Sequence, residues 1–130
     1  MPLVKISLRK GRSPDYKRAL FEGVHAALVE AFLIPDSDRH QQIYELDEEN
    51  FEIPPTKSNH FVVIEVIAFQ GRSLKAKRNL YQAITRNLWT APGIAGDDLF
   101  IILHEPPKEN WCIREGKPAS EVNVGFRIDV

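Results

Sequence analysis

The sequence predicts an α+β fold in which a β-α-β unit is written twice, giving a four-stranded mixed sheet with two helices on one face. Three observations point to it. First, sliding the chain by 60 residues places Gly11-Arg12-Ser13 on Gly71-Arg72-Ser73, Lys17-Arg18 on Lys77-Arg78 and Leu20 on Leu80 without a gap. In the same register Leu28 meets Leu88, Ile34 meets Ile94, Asp38 meets Asp98 and Glu45 meets Glu105, with Val24 opposite Ile84. These ten identities, all in one ungapped register, mark a duplicated unit. Second, each copy opens on an extended apolar segment that enters a Gly-Arg-Ser turn and then a helical pattern. Third, another extended segment follows each helix, and a crossover of that kind makes the two strands of a unit parallel.

The elements follow in order. Over residues 3–8, Val4, Ile6 and Leu8 alternate with Lys5, Ser7 and Arg9, the period of a half-buried strand. Ser13 and Ser73 stand where a helix N-cap is needed, and Pro14 suits the first helical position, whose N–H has no partner to lose. Helix one carries Leu20, Val24, Ala27, Leu28, Ala31 and Phe32 on one face and ends before Pro35. A strand is expected over 42–46, then a polar linker over 47–60 containing Pro54-Pro55. The run Val62, Val63, Ile64, Val66, Ile67 within 61–69 reads as a strand covered on both faces. Helix two shows Leu80, Ile84 and Leu88, has Lys77 and Arg78 toward its exposed side, and stops at Pro92-Gly93; a last strand covers 99–104. The repeat units thus span about 2–46 and 61–106. Residues 110–130 stand outside them as an expected hairpin and strand. There Val122, Val124, Phe126, Ile128 and Val130 alternate with Asn123, Gly125, Arg127 and Asp129, a pattern expected to pair onto a neighbouring subunit.

A chain of 130 residues makes one domain, and 43% hydrophobic with 27% charged residues excludes wholesale disorder. Seventeen Lys and Arg against eighteen Asp and Glu leave a charge of -1, without the basic excess of a nucleic-acid or anionic-membrane binder. No run approaches the about 18 apolar residues of a membrane span, and no signal-peptide core opens the chain. The single cysteine, Cys112, excludes an intrachain disulfide and makes the cytoplasm the expected compartment. His25, His40, His60 and His104 lack ligand spacing, the acidic residues form no metal cluster, and Gly11 and Gly71 are isolated rather than a phosphate loop. Neither a metal nor a cofactor is expected.

Residue 2 is proline. Removal of Met1 leaves it as a secondary amine at the head of a strand, and an apolar pocket or a nearby arginine disfavours the ammonium form of such a group. That yields a base suited to abstracting a proton next to a carbonyl. Pro2, Gly11-Arg12-Ser13 and the doubled β-α-β unit resemble the tautomerase superfamily in its fused, long form. The stretch from Trp111-Cys112-Ile113 through Gly116 to residues 118–122 is similar to the C-terminal loop of the short 4-oxalocrotonate tautomerases. Pro35 with Asp38-Arg39, Gly71-Arg72-Ser73 and Trp111 bring the likeness nearest to the malonate semialdehyde decarboxylase group.

The resemblance implies a cofactor-independent enzyme acting on a small 2-oxo or enol carboxylic acid, and a homotrimer. Pro2 would be the acid/base and Arg72 the carboxylate anchor, a task for its bidentate fork. Within the repeat Arg12 has an equal claim; the resemblance favours Arg72. Asp38 reads either as an aspartate that activates water or orients substrate, or as a turn cap. His40, two residues on, reads as an added donor or as a solvated surface histidine. Trp111 and Ile113 match an apolar pocket wall. Gln70 stands where the best-known decarboxylases carry a second arginine, which favours keto–enol tautomerisation over decarboxylation or hydration. An oligomeric binding protein that keeps only the fold is the alternative of another class.

Overall fold

The computed structural model describes residues 2–130. Strand β1 (Leu3–Arg9) leads through the first Gly-Arg-Ser turn to helix α1 (Pro14–Phe32) and strand β2 (Gln41–Leu46). The second unit repeats this as β3 (Val62–Ile67), α2 (Leu74–Thr90) and β4 (Leu99–His104). Both helices start as the sequence requires: the hydroxyl of Ser13 accepts from Tyr16 N and that of Ser73 from Ala76 N, each at 3.1 Å. Helix α1 closes on Leu33, whose φ of 56° is left-handed, two residues ahead of Pro35.

The sheet order is β2-β1-β3-β4. β1 and β2 run parallel, as do β3 and β4, while β1 and β3 join the units antiparallel with Leu3 opposite Ile67. Both helices cover one face, so Val4, Ile6 and Leu8 of β1 and Val62, Ile64 and Val66 of β3 are buried against Leu20, Val24, Leu80, Ile84 and Leu88. Gly23 lets the helices approach closely, since a Cβ there would lie 2.7 Å from Leu88 Cδ2.

Two expectations need correction. β3 is shorter than 61–69 and is not covered on both faces: Val63, Glu65 and Ile67 are only half-buried on the side opposite the helices. Its unbroken apolar run reflects an uncovered sheet face, because one layer of helices is all the chain supplies. Residues 110–130 form no regular strand: the expected hairpin is reduced to one antiparallel bridge between Arg114 and Lys117 across a tight turn, with 3₁₀ turns before it (Lys108–Asn110) and after it (Ala119–Glu121). The tail over 122–130 is extended, but its alternation is satisfied within the chain. Ile128 is buried with Phe69 and Ala119, Val124 and Phe126 pack against that cluster, and Val130 reaches the main core. Phe69 and Trp111 lie outside the sheet and supply apolar surface to the tail within the chain.

Candidate active site

The strand registers decide which loops meet. Val4 lies opposite Gln41, so the segment after α1 arrives at the start of β1, and Val4 N donates to His40 O at 3.0 Å. Antiparallel pairing brings the end of β3 to the same edge, and Ala68 N donates to His104 O at 2.9 Å, adding the end of β4. One end of the sheet therefore gathers Pro2, residues 35–40, residues 68–72 and residues 105–113. Pro2 is buried at the head of β1.

Arg72 is only 6% exposed. Its guanidinium lies over the Phe32 ring, 4.7 Å from the centroid, and Nη1 donates to Phe69 O at 3.0 Å. Nε and Nη2 are buried and have no hydrogen-bond partner. Those two groups form the side-on edge of the fork, the pair of donors that takes both oxygens of a carboxylate. Burial pushes the guanidinium below its ordinary pKa, while the carboxylates of Glu105 and Asp38 act in the opposite sense. Glu105 is itself held by Lys77 Nζ at 2.6 Å.

Asp38 is half-buried and lines a cavity of about 130 Å³ with Pro35, Ile113, Arg114, Val124 and Phe126. Trp111 packs edge-on against Phe69, with ring centroids 4.9 Å apart, and its indole N–H is taken by Pro106 O at 3.1 Å. Its polar handle is thus already used, and it lines neither this cavity nor the next. Gln70 is exposed and borders a second cavity, of about 360 Å³, which shares Phe126 with the first. The side chain of His40 is exposed and lines neither cavity; only its backbone carbonyl enters the site's framework. Among the described residues no three His, Cys, Asp or Glu side chains converge to hold a metal ion.

The tail runs over this end. Ile128 Cγ2 lies 3.0 Å from where a Cβ on Gly71 would stand, and Ser73 N donates to Val130 O at 2.9 Å, so the chain is crossed on both sides of Arg72. At φ 138° Gly71 is also held where L side chains rarely go.

The opposite end of the sheet carries the repeat mates in a different state. Arg12 Nη2 donates to Asn59 O at 2.8 Å and its guanidinium sits 5.4 Å from the Tyr16 centroid. Asp98, mate of Asp38, accepts from Ser58 N at 2.9 Å and Ser58 Oγ at 2.6 Å, and the serine hydroxyl chiefly holds its carboxyl below the usual range. Val62 stands in the place of Pro2. Here the arginine and aspartate tie down the linker, whereas at the first end Arg72 keeps an edge unused.

Sequence reasoning missed Phe32, whose ring stacks on Arg72, and Phe69, whose carbonyl accepts from it, and assigned Phe126 to a subunit contact. It also missed the ion pairs Lys17–Glu45 at 2.7 Å and Lys77–Glu105 at 2.6 Å. The signal was present, because both members of each pair are identities of the repeat.

Fold and site together define a tandem β-α-β protein with a buried, half-unpartnered arginine and a proline-led strand at one end of its sheet. The chain belongs to the tautomerase enzyme family: one family model of that description matches residues 38–114 and a second matches residues 2–58. It is 27% identical to the probable tautomerase YusQ of Bacillus subtilis (strain 168) over 122 residues, 90% of this chain and 96% of that one. A crystal structure of FG41 malonate semialdehyde decarboxylase inhibited by 3-bromopropiolate is similar at TM-score 0.80 and 32% identity, covering 91% of this chain and 92% of the other. A fused 4-OT symmetric trimer shares the fold, at TM-score 0.79 and 20% identity, over 91% and 96% of the two chains.

Proposed function

We propose that this chain is a cofactor-independent enzyme that interconverts keto and enol forms of a small 2-oxo carboxylic acid, with Pro2 as acid/base once Met1 is removed. The observation that carries this reading is the free Nε/Nη2 edge of a buried guanidinium at the same sheet end as Pro2. A carboxylate is the partner that satisfies both donors and the buried charge together. With the carboxylate on Arg72, the secondary amine removes the enol hydroxyl proton and returns it to the adjacent carbon, leaving the 2-oxo acid. Apolar walls from Ile113 and Phe126, packed in one cluster with Trp111, exclude water and strengthen the ionic grip. Asp38 orients the reacting carbonyl or its hydrate, and Gln70 supplies a hydrogen bond but no charge.

Likeness to FG41 malonate semialdehyde decarboxylase favours a second reading, decarboxylation or hydration of a 3-oxo acid. Gln70 weighs against it, since a neutral amide does not balance a second negative charge. Ultraviolet-monitored ketonisation of phenylenolpyruvate tests the first reading. Turnover well above buffer is expected; its absence, with release of carbon dioxide from malonate semialdehyde, would reverse the order of the two. We assign the working form as a homotrimer, in keeping with the fused 4-OT neighbour and the uncovered sheet face.

A further inference from the structure

We propose that Lys108 is a specificity-determining residue that reads an anionic group at the far end of the substrate; this rests on the carboxylate-anchoring role proposed for Arg72. The cavity of about 360 Å³ is bordered by Gln70, Gly71, Lys108, Phe126, Arg127 and Ile128, together with Asp129, and so opens against the residue that precedes Arg72. Its charges are not equivalent. Arg127 is satisfied by Asp129, with Nε 3.2 Å from the carboxylate and Nη2 3.2 Å from the backbone oxygen, and that hydrogen bond holds the Asp129 carboxyl below its usual range. Among the described residues Lys108 forms no ion pair, and it is half-buried rather than extended into water.

Its backbone is also fixed. Lys108 opens a 3₁₀ turn in which Asn110 N donates to Pro107 O at 2.9 Å and Trp111 N donates to Lys108 O at 3.1 Å, and Trp111 is wedged against Phe69. Lys108 therefore borders the same cavity as Gln70 from a fixed turn, and its ammonium is a point charge. A substrate gripped by one carboxylate at Arg72 and extending outward past Gly71 presents its other end to Lys108. Half-buried ion pairs of this kind contribute up to about 1 kcal/mol, roughly fivefold in affinity.

The test compares adipate with hexanoate, two six-carbon acids that differ in one terminal carboxylate, by calorimetric titration of the full chain. The wild type is expected to prefer adipate. Lys108→Met should shrink that preference about fivefold, Lys108→Arg should restore it, and Lys10→Met, an exposed lysine at the other sheet end, should not alter it. No preference in the wild type, or an equal preference in Lys108→Met, overturns the proposal. A Lys108-dependent preference in a protein that ketonises no enol rejects the tautomerase reading and keeps the charge readout. If neither acid binds and neither depends on Arg72, both fall together.

Discussion

At Arg72, two guanidinium donors buried without acceptors work against folding, at about 1–3 kcal/mol for each unmet group. The contact with Phe69 O, the stacking on Phe32 and the carboxylates of Glu105 and Asp38 offset part of this. Replacing the cation with an apolar side chain of similar length should therefore leave the fold at least as stable while removing the anchor. Arg72→Met is expected to unfold at the same temperature as the wild type or higher, and to lose about 100-fold or more in kcat/KM on phenylenolpyruvate. A sharp fall in thermal stability would make Arg72 structural. Asp98 predicts the opposite behaviour. Its carboxyl lies below the unfolded value, so its contribution is present above about pH 4 and is lost as pH falls through the folded value. Ser58→Ala should be less stable than wild type in denaturant titrations at pH 7, with the difference closing in acid. Both residues were legible as repeat members. That one arginine stays free and the other binds the linker was not, because Asn59 and the 122–130 tail are remote from each in sequence.

Among the elements, the tail carries the clearest difference between pattern and partner. Alternation from Val122 to Val130 was readable, and the burial of Ile128 follows it. Its destination was not, because a period-2 pattern states which side is apolar and not what lies opposite. The groups opposite proved to be Phe69 and Trp111, brought over the sheet end by the turn after β3 and the segment after β4. The tail has no ladder of hydrogen bonds, and its hold on residues 71–73 rests on Ile128 and on Ser73 N donating to Val130 O. Ile128→Ser should loosen it locally: amide exchange at Ser73 is expected to quicken while amides in β1 and β3 keep their protection. Unchanged exchange at Ser73 would show that the tail is held by other contacts. The helices, by contrast, were readable almost to the residue, since serine caps, Pro14 and the apolar faces are local signals.

On the scale of the whole molecule, the sheet has one face under helices and one open. On the open face Leu3, Val63, Ile67 and Ile102 are half-buried and Phe100 is 51% exposed. Apolar surface of this extent supports the homotrimer proposed above. The duplication made the four-stranded mixed sheet legible from sequence; which strands join the two units was not, and the apolar run in β3 does not say whether its second cover comes from this chain or from another. Sedimentation is expected to give a three-chain species, and Phe100→Lys should shift it toward smaller ones with the far-ultraviolet spectrum retained. A single-chain wild type would remove the homotrimer.

The most direct measurement is the rate of phenylenolpyruvate ketonisation by protein whose intact mass shows that Met1 is gone, set beside Pro2→Ala prepared in the same way. Loss of nearly all turnover in Pro2→Ala, with its thermal unfolding unchanged, is the predicted result. Equal turnover in the two proteins, or in samples that retain Met1, would contradict a mechanism built on the Pro2 amine.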